Sequence, residues 1–138
     1  MRASQTAVLG VVLVLVLFAI VRGGSMFFEG AERWQEGSHA VALLLPGAPP
    51  TWGVALFVSG LVGLVALRTG RYRLLFHALY GTAFWCTLFT VAFVASVAQN
   101  PNAAGGGIWT YSFFALLYVV AGTAVRESYW RTHPKKRG

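Results

Sequence analysis

Three of the four acidic residues in the chain, Glu29, Glu32 and Glu36, fall in the stretch EGAERWQEGSH, which ends on His39. Glu36 and His39 stand in an E-x-x-H spacing, which puts a carboxylate and an imidazole on one helical face. Di-metal carboxylate bundles need a Glu from each of two helices and a Glu-x-x-His from each of two more. Here there is one Glu-x-x-His, and the apolar runs of the chain hold no glutamate. A mononuclear site needs at least one further ligand. His133 is expected on the opposite side of the membrane, and His77 lies within a turn of Arg71 and Arg73, the place of an interfacial residue. The single cysteine, Cys86, cannot form an intramolecular disulfide and sits inside an apolar run. The chain has no aspartate, hence no Ser-His-Asp set, and neither a phosphate loop nor a nucleotide fingerprint. No metal, no cofactor and no enzymatic activity are therefore expected.

What would have to hold these residues is not a soluble domain. Of 138 residues, 57% are hydrophobic and 11% charged, with mean hydropathy +0.63, whereas soluble chains carry about 25% charged residues. Four apolar runs account for this: TAVLGVVLVLVLFAIV at 6–21, TWGVALFVSGLVGLVAL at 51–67, a long third run at 74–98, and IWTYSFFALLYVVAGTAV at 108–125. The first lacks an A-x-A-like cleavage site and is read as an uncleaved spanning helix continuing past Arg22 towards Phe27 and Phe28. Pro49 and Pro50 lead the second, as proline tolerates a helix start. The expected fold is all-α, one polytopic domain: a four-helix transmembrane bundle with an external amphipathic segment at 22–50 between helices one and two. A cytoplasmic loop at 68–73, an external turn at 99–107 and a cytoplasmic tail at 126–138 complete it.

Orientation follows from the basic residues. Arg2, Arg68, Arg71, Arg73, Arg126, Arg131, Lys135, Lys136 and Arg137 fall on one side, and only Arg22 and Arg33 on the other. The positive-inside rule then places both termini in the cytoplasm and the chain in the cytoplasmic membrane. Trp52 and Trp109 mark outer helix ends, and Tyr72, Tyr129 and Trp130 inner ones, as in aromatic belts. The net charge of +7 is thus a topology signal rather than a nucleic-acid footprint; the basic tail is short and holds no recognisable binding module. Arg131, Lys135, Lys136 and Arg137 are expected to meet the anionic inner leaflet.

Between the interfaces there is no Asp, Glu, Lys or Arg, which speaks against a coupled small-solute transporter. Small residues are present instead. Ala55, Ser59 and Gly63 recur at every fourth position of helix two, with Gly60 beside them; Ala78 and Thr82 repeat the spacing on helix three. Without a hydrophobic drive in lipid, close backbone approach and hydroxyl hydrogen bonds hold helices together. The stripe serves either packing within the chain or self-association. In the outer segment Phe27, Ala31 and Trp34 share a face, with Phe27 and Trp34 placed to meet lipid or bundle, and Glu29 and Arg33 stand at i, i+4. AVALLLPG, at 40–47, is too short to span; it covers the bundle top or forms a shallow re-entrant piece.

The order of parts resembles the small four-helix, holin-like membrane proteins of actinobacterial phages. RWQEG in the outer segment, the proline-led PPTWGVALFVSGLVGLVAL, the arginine hairpin RTGRYR and the aromatic third and fourth helices carry that resemblance. It implies a homo-oligomer that permeabilises the cytoplasmic membrane during host lysis, with no catalytic residues to carry over. The alternative is a non-catalytic accessory or structural subunit docking a membrane-complex partner through its outer segment or basic tail. A small-solute transporter is the third class.

Overall fold

The computed structural model describes residues 3–29, 41–44, 46–100, 102 and 105–132. Four helices dominate: α1 (Ala3–Phe28), α2 (Pro50–Thr69), α3 (Tyr72–Gln99) and α4 (Gly106–Thr132), with a 3-10 turn at Ala42–Leu44. Each is long and apolar enough to cross a bilayer; at 1.5 Å rise per residue even the 20 residues of α2 reach about 30 Å, the thickness of a hydrocarbon core. Large apolar side chains stay exposed along every helix, including Val14 and Val21 on α1, Val58 and Val65 on α2, Phe84 and Val91 on α3, and Phe113 and Leu116 on α4. Surface of that kind is a liability in water, and the architecture fits a multi-pass membrane protein.

Local chemistry sets the helix limits. Pro50 opens α2, where its missing N–H leaves no bond unmade. Gly70 closes it in the left-handed region (φ 66°), and the N–H of Arg71 reaches back to the carbonyl of Ala66 at 3.0 Å. α1 does run on past Arg22 as far as Phe28, and α4 continues through Arg126 and Arg131, so the start of the basic tail is helical.

The helices run up, down, up, down. On the α1–α2 seam, Gly23 lies against Gly53, Ile20 against Gly60 and Val16 against Gly63. Trp52 of α2 meets Trp85 and Phe89 of α3 edge-on, at 5.2 and 4.5 Å between centroids. Phe93 of α3 stacks on Tyr111 of α4. The ring closes more thinly between α4 and α1, where Phe114 stacks on Phe18 at 4.1 Å and Tyr118 Oη donates to the buried carbonyl of Leu15 at 2.6 Å. Val12, Val16, Leu75, Leu79, Phe89 and Tyr118 fill the centre.

Hydroxyl bonds do less between helices than the small-residue spacing suggests. Thr82, Thr87, Thr90, Thr110 and Thr123 each donate to the carbonyl four residues back on their own helix. This satisfies the hydroxyl locally where no water is at hand. Tyr118 to Leu15, the 3.2 Å contact of Tyr80 Oη with Thr123 Oγ1, and the Tyr111 hydroxyl bonded by Arg22 are hydroxyl links that do cross a seam.

Candidate functional site

The chemistry-bearing side chains gather at the two ends of the bundle. At the end formed by the close of α1, the start of α2, the close of α3 and the start of α4, Arg22 is half-buried rather than extended towards solvent. Its Nε and Nη2 donate to Tyr111 Oη at 3.4 and 3.3 Å, and Nη1 donates to Glu29 Oε1 at 2.9 Å and to Ser25 Oγ at 3.2 Å. One guanidinium thus ties the last turn of α1 to α4. Its planar fork suits this, because it satisfies a phenol and a carboxylate at once. Glu29 thus meets Arg22, and its expected pairing with Arg33 falls outside the described residues. Arg33 lies outside the described residues, as do Glu32, Trp34 and the E-x-x-H pair Glu36 and His39. Phe27 is exposed on the last turn of α1, edge-on to Phe28.

The segment after residue 40 covers this end. Val41 N–H donates to Ser96 Oγ at 3.1 Å, and Trp52 Nε1–H donates to the carbonyl of Ala42 at 2.9 Å. Within AVALLLPG, Val41 and Ala42 are thus bonded to the end of α3 and the start of α2. Trp52 departs from the expectation of a belt residue: it is 5% exposed, held between Ala42, Trp85 and Phe89, while Trp109 is 79% exposed and open to the surroundings. The indole N–H explains the difference, since a buried donor needs an acceptor and the turn at Ala42 supplies one.

The opposite end is basic. Arg68, Arg71, Arg73, Arg126 and Arg131 are all exposed there. Arg73 crosses from α3 to α4, its guanidinium 5.3 Å from the Tyr129 ring and 6.0 Å from that of Trp130. Arg131 pairs with Glu127 one turn earlier at 3.5 Å. Thr123, Arg126, Glu127, Trp130 and Arg131 line an open groove of about 550 Å³. Lys135, Lys136 and Arg137 lie outside the described residues. His77 is exposed on α3 with its ring 4.5 Å from Phe76.

The small-residue stripe divides. Gly60 and Gly63 are buried against Ile20 and Val16 of α1, whereas Ala55 and Ser59 are half-buried. Sequence spacing did not single out Gly23 or Gly53, which make the closest approach of the seam. A Cβ on Gly53 would stand 2.6 Å from Gly23 O and from Phe27 N.

Among the described residues, no three His, Cys, Asp or Glu side chains come together as a metal site, and every buried side-chain nitrogen or oxygen has a hydrogen-bond partner. The arrangement can hold helices together and present charge at one end. Comparison of the chain with protein families, with curated proteins and with solved structures finds no match.

Proposed function

We propose that the chain is a non-enzymatic, holin-like protein of the cytoplasmic membrane, with both termini inside, which self-associates and makes that membrane permeable. The supporting observation is the share of the described chain taken up by four bilayer-length helices. Among the described residues little besides turns, the 41–44 segment and one basic end lies off these helices, which supports an activity exerted within the bilayer. Side chains fill the centre of the single bundle, and permeability is then a property of several copies. Ala55 and Ser59, half-buried on α2, form the contact between copies, beside Gly60 and Gly63, which pack on α1. Arg131, Lys135, Lys136 and Arg137 keep the tail on the inner leaflet.

Induced expression together with a cytoplasmic endolysin tests this reading. Collapse of the membrane potential followed by release of the endolysin is the expected result. Normal growth with an intact potential, at verified membrane levels of the protein, would remove it.

A second reading, an accessory subunit of a membrane complex, is favoured by one observation. The cover is fixed in place by the Val41–Ser96 and Trp52–Ala42 bonds and offers a shaped surface for a partner. Purification in mild detergent separates the two: a ladder of homo-oligomers supports the first, and a stoichiometric foreign subunit supports the second.

A further inference from the structure

We propose that the groove on α4 at the basic end is a binding site for the phosphodiester headgroup of an anionic phospholipid. Its lining residues, Thr123, Arg126, Glu127, Trp130 and Arg131, recur at the spacing of one helical face. Two of them are guanidinium groups, whose forked donors match phosphate oxygens. Among the described residues the groove carries one carboxylate, Glu127, which has Arg131 at 3.5 Å, and the other lining guanidinium, Arg126, adds net positive charge. Arg73 of α3, which does not line the groove, stands beside it over the rings of Tyr129 and Trp130 and adds to the positive field there. Trp130 contributes the amphipathic ring that sits well at headgroup level.

The same face decides what kind of phosphate this is. One and two turns towards the bundle centre from Thr123, α4 exposes Val119, Val120 and Leu116, at 42, 58 and 60%. A headgroup in the groove would therefore lay its acyl chains on an apolar strip continuous with it. A soluble phosphate compound has no use for that strip. The inference rests on the chain lying in a bilayer, but not on permeabilisation.

The test is native mass spectrometry of the full-length protein in mild detergent, titrated with dioleoyl phosphatidylglycerol, with dioleoyl phosphatidylcholine for comparison. We expect retention of phosphatidylglycerol and little of phosphatidylcholine, with no displacement by inorganic phosphate. Arg126→Gln should lower retention about fivefold, the effect of losing one basic residue near an anionic headgroup, and Arg126→Lys should keep most of it. Arg126 is exposed, so neither change threatens folding, and an unchanged elution profile verifies that. Arg68→Gln removes an equally exposed arginine that does not line the groove and should have little effect. Equal losses in Arg68→Gln and Arg126→Gln would overturn the site in favour of diffuse attraction. Equal retention of the two lipids, or displacement by inorganic phosphate, would overturn it as well. Because lipid retention is read on purified protein, it stands or falls independently of the lysis assay.

Discussion

Two seams of this bundle use glycine in opposite ways. Between α1 and α2, Gly23, Gly53 and Gly60 bring backbone onto backbone: Cβ atoms added there would meet Gly53 O, Gly23 O, Phe27 N and Ile20 N at 2.6 to 2.9 Å. Between α3 and α4, Gly107 and Gly122 make room for rings instead, those of Phe93 and Tyr80. The first seam depends on what is missing, because two main chains cannot move apart without opening the whole interface. The second depends on side chains, and a ring can turn. In lipid, where a separated helix is as well solvated as a packed one, contact distance matters more than apolar area. The α1–α2 seam should therefore be brittle and the α3–α4 seam adaptable.

The largest effect follows from the brittle side. Gly53→Ala should destabilise the bundle by about 3 kcal/mol or more, because its methyl meets carbonyl and amide groups that have no rotamer to change. Gly122→Ala, whose methyl meets the Tyr80 ring at 3.1 to 3.4 Å, should be much milder. Unfolding of both variants by titration with sodium dodecyl sulfate in mixed micelles measures the gap, and equal losses would break the contrast. On the adaptable side, Phe89 joins α2, α3 and α4 through Trp52, Phe93 and Tyr111. Phe89→Ala should cost about 2 to 3 kcal/mol in the same titration, at the low end for a buried aromatic because lipid removes the transfer part of the penalty. Phe89→Leu should recover more than half of it as the neighbouring rings close in.

These contrasts also mark where the sequence is readable. The four helices are, because prolines 49 and 50, Gly70 and the glycines at 105–107 punctuate apolar runs that nothing else interrupts. Charge counting separates the basic end from the end bearing Arg22 and Glu29. The partner of each helix face is not readable. Gly23 follows an arginine in the motif RGGS and belongs to no apolar period, yet it meets Gly53, some thirty residues away, where the backbones of α1 and α2 touch. Ala55, Ser59 and Gly63 form the visible stripe, but only Gly63 of these is buried against α1. Trp52 and Trp109 look alike as tryptophans near helix starts. Whether such a ring turns inward depends on an acceptor such as Ala42 O, and local sequence does not reveal that acceptor. For Arg22, likewise, a positive charge beside an apolar run reads as an outward anchor until a phenol on α4 is known to lie opposite.

A smaller effect belongs to the thin α1–α4 contact. Tyr118→Phe keeps the ring in its buried place and deletes the bond to Leu15 O. The carbonyl retains its helical partner, so the loss should be about 1 kcal/mol, the range found for interhelical hydrogen bonds in membranes. A loss several times larger would show that this bond, rather than glycine packing on α2, holds α1 in the bundle.

The smallest expected effect has the opposite sign and tests the comparison most sharply. Gly10 lies on the same helix as Gly23, yet a Cβ there has nothing within 4 Å. If glycine were needed on α1 for flexibility, Gly10→Ala and Gly23→Ala would both weaken the protein. If it is needed only where backbones touch, Gly10→Ala should stabilise by roughly 0.5 kcal/mol, the ordinary gain from replacing a mid-helix glycine, while Gly23→Ala should fail as Gly53→Ala does. Measured together in one micelle titration, the pair separates helix propensity from seam geometry, since the substitution is chemically the same and only the distance to α2 differs.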